Sequence, residues 1–416
     1  VPSPSRRLSA ADVERFVRRR CFPTVQAGRV GAELEWLTIS STDPAATVDH
    51  DALRAAVAGA GPLPGGSRVT FEPGGQLELS SATCTDIGAV CTAMEADLGA
   101  VSQVATTVGI DLVGLGADPL GLPQRLVDGS RYRAMEAFLR ADGGDGVTMM
   151  CSTAALQVNL DIGDEGTQLS RWRRAQALSP VLIAAFANAP FSAGSPNGLR
   201  SRRAEIWSTI DRSRTGPVDL AGDDPVAAWV GYALAARTML VRSSASHFEP
   251  VLLPLPFGRW MDQGHELGFP TIDDFEYHLS TLFPPVRPRG WLELRMIDAL
   301  PDPWWRAAVA VTTALLDDDG AADAASQACA GTEDLWATAA SDGLSHPVLA
   351  TSAHACFVTA LEALPALGAD GATVAVTEAF FERFVARSRC PADELLDGWR
   401  SSGRLFPEPL LDQAWS

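Results

Sequence analysis

The stretch that decides the fold is residues 68–81, RVTFEPGGQLELSS. Pro73, Gly74 and Gly75 read as a turn ahead of a strand. Beyond it Gln76, Glu78 and Ser80 point to one face, and Leu77 and Leu79 to the other. A strand that buries its leucines needs nothing particular on its opposite face, so a carboxylate there raises the question of what it meets.

Three more strands share the pattern. Residues 30–37, VGAELEWL, set Glu33 and Glu35 against Leu34 and Trp36. Residues 156–161, LQVNLD, set Gln157, Asn159 and Asp161 against Leu156, Val158 and Leu160. Residues 291–296, WLELRM, set Glu293 and Arg295 against Leu292, Leu294 and Met296. Strands apolar on one side only predict an antiparallel sheet packed against helices on a single face, an α+β fold. Helical spacing runs through 11–20, 86–108, 131–140, 169–187, 225–241 and 303–316, and an Ala-rich helical region follows. The run at 317–332, DDDGAADAASQACAGT, reads as a boundary or flexible connector. It suggests a catalytic region over 1–305 and a helical region over 306–416.

Either the acidic face is merely solvated, or it serves a cation. A solvated face pairs opposite charges, because like charges directly opposed on neighbouring strands are destabilising. Here Glu33, Glu35, Glu78, Asp161 and Glu293 share the face with one cation, Arg295. An oxygen-only donor set without His or Cys suits Mg²⁺ or Mn²⁺ better than zinc. Arg295, two residues beyond Glu293, is the partner that such a metal floor has in phosphoryl transfer.

A second constellation, residues 196–216, carries Arg200, Arg202, Arg203, Arg212 and Arg214 around Trp207 and Asp211. It reads as a solvated basic loop or as an anion clamp, in which guanidinium forks grip carboxylate or phosphate oxygens. His278 reads as a structural histidine and Cys151 as a buried thiol.

Composition narrows the chemistry. The chain has 416 residues and a net charge of −18, and all 33 basic residues are arginine. The acidic balance speaks against a nucleic-acid partner, which would need a basic face. The lack of lysine excludes Walker A loops, protein kinases and Schiff-base enzymes. No uninterrupted apolar run approaches the roughly 18 residues of a membrane span. The opening VPSPSRR has no apolar h-region, so it is not expected to be a secretory signal. Seven cysteines without a C-x-x-C pair fit a reduced, cytoplasmic protein.

The blocks GAELEW, TFEPGGQLELSS, MMCSTAALQVNLD, LSPVLIAAFANAPFSAGSPNG, SRRAEIWSTIDRSRTG, HLSTLFPPVR and RGWLELRMIDALP, in order between about residues 30 and 305, resemble the plant and actinobacterial glutamate-cysteine ligases. Within that family the composition is most similar to the actinobacterial members that make γ-glutamylcysteine for ergothioneine. The resemblance implies a glutamine-synthetase-like fold, a curved antiparallel sheet forming a funnel that holds Mg²⁺ and ATP. It implies metal ligation by Glu33, Glu35, Glu78 and Glu293, with Glu72 joining them. Glu293 and Arg295 become the catalytic pair, Arg295 contacting the transferred phosphoryl group. Arg214 and Gln157 become further ATP-phosphate contacts, although distant enterobacterial relatives place a histidine at Gln157. Arg203, Asn159, Trp207 and Glu72 become contacts for L-glutamate or L-cysteine. The implied reaction passes through a γ-glutamyl phosphate. A ligase using another amine, a guanidino kinase and a non-catalytic nucleotide or metal sensor remain open.

Overall fold

The computed structural model describes residues 7–406 apart from 245, 246 and 267. Seven strands, β1 (Val30–Ser40), β2 (Arg68–Phe71), β3 (Leu77–Ser80), β4 (Ile110–Val113), β5 (Ala155–Asp161), β6 (Val286–Pro288) and β7 (Trp291–Asp298), form one sheet in the order β6-β7-β5-β1-β3-β2, with β4 also on β1. Every pairing is antiparallel. The helices that matter below are α1 (Ala10–Cys21), α2 (Ile87–Thr107), α3 (Ser130–Asp142), α4 (Gln168–Ala185), α5 (Arg202–Thr209), α6 (Trp304–Asp317), α7 (Asp319–Ala328), α8 (Pro347–Ala363) and α9 (Gly371–Arg383).

The turn at the opening stretch depends on its glycines. The Glu72 N–H donates to the Gln76 carbonyl at 2.8 Å, and Gly75 has φ +90°. A Cβ on Gly74 would lie 1.9 Å from the Cys151 carbonyl oxygen. Only glycine permits both the left-handed backbone and that approach.

The predicted alternation is present in all four strands. Leu34 and Trp36, Leu77 and Leu79, Leu156, Val158 and Leu160, and Leu292 and Leu294 enter one continuous core beneath the sheet. Helix α6 is central to it, since every residue from Trp304 to Leu316 is buried, the mark of a helix surrounded by other elements. The same core continues through Phe357 of α8 to Phe380 of α9, whose rings stack at 5.7 Å. The segment Pro347–Leu367 alone among the described residues is long and apolar enough to cross a membrane. Its Leu349, Ala353, Cys356, Phe357 and Ala360 are buried against neighbouring helices, so here it is a core helix.

Two expectations are corrected. Residues 317–332 are not a flexible connector. Asp318 caps α7 by accepting from the Ala321 N–H, and Ala321, Ala322 and Ala325 are buried, so the acidic run is a helix start. The helix expected over 225–241 ends at Ala235, because Leu240–Ser244 turns back to pair with His247–Pro250.

Candidate active site

Register brings the acidic side chains together on the open face of the sheet. Glu35 of β1 is directly opposite Glu78 of β3, and Glu33 is opposite Gln157 of β5. The hairpin delivers Glu72 beside Glu78, within side-chain hydrogen-bonding reach. Burial and the facing Glu78 push the Glu35 carboxyl up to about 7. Burial, then Glu35 and Glu78, push Glu72 well above the usual carboxylate range. Burial, then Glu293 and Glu78, raise Glu33. These groups are short of countercharge. Next to them the buried Gln76 Oε1 has no partner, while its Nε2 donates to the Thr153 carbonyl at 2.8 Å.

Among the described residues no three His, Cys, Asp or Glu side chains converge as a ready-made metal cage. The carboxylates instead form an open row with an orphaned amide oxygen beside it. That oxygen-only set, with burial raising Glu33, Glu35 and Glu72 where no cation balances them, fits a hard divalent ion.

Glu293 is different. Its fully buried carboxylate is gripped by Arg287, by Arg289 Nη1 at 3.2 Å and by Arg295 Nη1 at 3.3 Å. Burial opposes ionisation, yet Arg287, Arg295 and Arg289 together hold it well below the ordinary range. A metal ion at Glu293 would share a carboxylate that three guanidinium groups already balance, which the expectation of a ligand equivalent to the others did not foresee. Asp161 likewise has its own cation, Arg29, at 3.2 Å.

Arg295 stands at a bulge. Leu294 pairs with Val158 and Ile297 with Leu156, so Arg295 and Met296 share the place opposite Gln157. Bulges re-aim side chains in this way beside functional sites. Arg295 Nη1 donates to Gln157 Oε1 at 2.7 Å, and Gln157 Nε2 donates to Glu35 Oε1 at 3.2 Å. Gln157 therefore links the carboxylate row to the guanidinium. Asn159 holds the row further along, donating to Glu33 Oε1 at 3.1 Å and accepting from Trp291 Nε1 at 3.1 Å.

Arg203 on α5 is buried and braces the bulge, donating to the carbonyls of Arg295 at 2.7 Å and Met296 at 3.2 Å. The Arg203 and Arg295 guanidinium carbons lie 5.8 and 6.0 Å from the Trp207 ring centroid. In this corner Arg203 Nε, Arg295 Nε and Trp207 Nε1 are all buried donors without an acceptor. Unmet donors of this kind are costly unless a ligand accepts from them.

Arg214 does not join them. It is wholly buried, and its donors go to Asp211, to the Thr281 carbonyl at 2.8 Å and to the Arg237 carbonyl. With no exposed surface and no donor facing the sheet, it is a structural post and not the phosphate contact expected. His278 is structural too, its Nε2 lying 2.9 Å from the Ala233 carbonyl.

The sequence reading missed Tyr132 of α3, whose phenol burial and Glu72 push upward, and Arg287, Arg289 and Trp291 of the β6–β7 hairpin. The Arg289-Gly290 turn between two alternating strands was the available signal for that hairpin.

The chain matches the glutamate-cysteine ligase family 2 (GCS2) over residues 29–408. It is 42% identical over 375 residues to the glutamate–cysteine ligase EgtA of Mycolicibacterium smegmatis, spanning 89% of this chain and 87% of that one. It is 39% identical over 390 residues to EgtA of Mycobacterium tuberculosis, spanning 92% and 88%. A chloroplastic glutamate–cysteine ligase of Solanum lycopersicum is 34% identical over 268 residues, 62% of this chain and 50% of that one. Among solved structures, a glutamate–cysteine ligase of Francisella tularensis in complex with AMP aligns with a TM-score of 0.51 at 14% identity, covering 92% of this chain and 87% of that chain. At that identity the likeness shows the fold, which is α+β with an antiparallel sheet backed by helices. The chain therefore belongs to the glutamate-cysteine ligase family 2.

Proposed function

We propose that the protein is an ATP-dependent glutamate–cysteine ligase. It joins the γ-carboxylate of L-glutamate to the amine of L-cysteine, giving γ-glutamylcysteine, ADP and phosphate. The nearly full-length likeness to the mycobacterial EgtA enzymes supports a place in ergothioneine synthesis in the cytoplasm. One observation carries the reading. The sheet face presents carboxylates short of a cation on β1, β2–β3 and their turn, and arginine and indole N–H groups short of an anion beside β7. A metal–triphosphate complex and an anionic amino acid together satisfy both.

Glu33, Glu35, Glu78 and Glu72 would hold Mg²⁺ or Mn²⁺. Bound there, the ion would neutralise the triphosphate that a chain of charge −18 otherwise repels. Arg295, steadied by Gln157 and Glu293, offers its free Nε to the charge that develops as the γ-phosphoryl group moves onto the glutamate γ-carboxylate. Arg203 and Trp207 offer their free N–H groups to a substrate oxygen, and Asn159 orients Glu33. The amine of cysteine then attacks the acyl carbon and expels phosphate, with no covalent enzyme intermediate.

The test is ADP formation from ATP, Mg²⁺ and glutamate, with cysteine or alternative amines in turn. Turnover with cysteine, and one heavy oxygen passing from labelled glutamate γ-carboxyl into phosphate per turnover, is expected. ADP release indifferent to amino acids would make the protein a sensor or stray ATPase. Formation of AMP and pyrophosphate would replace the acyl phosphate with an adenylate.

A further inference from the structure

The β6–β7 hairpin places an exposed indole on the same face as the charged groups. Trp291 retains 36% of its surface and is the one exposed Phe or Trp side chain among the described residues. Its position is fixed from three sides. The Arg289 N–H donates to the Trp291 carbonyl at 2.9 Å, closing the turn, and the Gly290 N–H donates to the Cys21 carbonyl at the end of α1. The indole Nε1 donates to Asn159 Oδ1 at 3.1 Å, and the other end of that amide holds Glu33. The Arg289 guanidinium covers the indole at 5.2 Å from its centroid while also reaching Glu293.

An exposed, immobilised aromatic with a guanidinium on its ring is an arrangement that receives a planar heterocycle. Its distance from the carboxylates is suitable. Trp291 lies one Asn159 amide from Glu33, and Glu35 lies two residues beyond Glu33 on β1, or roughly 7 Å further along the strand. A ribose and phosphates fit between those points, with Arg289 and Arg295 on the path. We propose that Trp291 is the stacking platform for the purine base of the nucleotide, with the triphosphate running from this hairpin toward Glu33 and Glu35. The assignment rests on the ATP-dependent reading given above.

The experiment compares Mg²⁺-dependent binding of ADP and of inorganic tripolyphosphate, which lacks a base, by calorimetry. Wild type, Trp291→Ala and Trp291→Phe are each measured. Trp291→Ala weakens ADP by about tenfold or more, the scale of one lost stacked base, while tripolyphosphate binding stays unchanged. Trp291→Phe restores most of the ADP affinity. In turnover, KM for ATP rises by a larger factor than KM for glutamate. Unaltered ADP affinity in Trp291→Ala overturns the platform, and so does an equal loss for ADP and tripolyphosphate. Wild-type protein that binds neither ligand overturns the ligase reading itself, so the two failures are distinguishable.

Discussion

Glu35 and Glu78 are direct register partners across β1 and β3, two carboxylates facing each other with no guanidinium hydrogen-bonded to either among the described residues. Like charges so opposed destabilise a sheet. The fold tolerates the pair because burial raises Glu35 until it holds its proton near neutrality.

Glu78→Gln should therefore move activity and stability in opposite directions. The amide keeps the shape, and Ser80 Oγ still has an oxygen to meet at the Glu78 position, where the distance is now 2.7 Å. Turnover should fall by about a hundredfold or more through the weakened metal site, while metal-free melting temperature rises. Near-normal turnover at ordinary Mg²⁺ would return Glu78 to a solvated face.

The raised Glu35 gives a pH signature. Between the ordinary carboxylate value of 4.5 and about 7, the folded protein keeps a proton that the unfolded chain has lost. Stability contributed by the protonated group is complete below that window and declines as pH rises through it. Melting in EDTA should show this decline relative to Glu35→Gln, and saturating Mg²⁺ should remove it. A wild-type minus variant difference that is flat from pH 5 to 7 contradicts the assignment.

Arg295→Lys keeps the charge and loses the fork that reaches Gln157 and Glu293. Because its free Nε serves the transferring group, kcat should drop by roughly a hundredfold with ATP affinity little changed. Collapse of affinity with intact kcat would make Arg295 a ground-state anchor.

Arg214→Met tests the corrected role. It leaves Asp211 buried with Arg237 3.8 Å away as the remaining cation, so unfolding free energy should fall by about 3 kcal/mol. ATP affinity of the folded variant at low temperature should be unchanged. Unaltered stability with lost ATP affinity would restore a nucleotide role.

Much of the site was legible because a strand's period of two is local: Glu33, Glu35, Glu78, Glu293 and Arg295 could be placed on their face from spacing alone. What was not legible depends on partners distant in sequence. Nothing near Arg214 reveals that the carbonyls of Thr281 and Arg237 occupy it, and nothing near Glu293 shows that three arginines neutralise it. The bulge at Arg295 is invisible because Leu294, Met296 and Ile297 are all apolar, and a slipped register leaves no mark in such a run. Residues 317–332 misled for a local reason, since aspartate favours both loops and N-caps.

The sheet's underside and the helices beyond residue 305 are parts of one interior, joined through α6. The chemistry is written in the first three quarters of the chain, where α2 and α4 cover part of the sheet's apolar side, but the floor under β5 is α6. An attempt to transplant the acidic strands with α2 and α4 but without α6 would uncover the apolar side of β5, where Val158 and Leu160 are buried, and the product would be prone to aggregate. Selection that acts on catalysis must then also act on packing at Phe357 and Phe380, which touch no substrate, so the heritable unit of this activity is the whole matched stretch from 29 to 408.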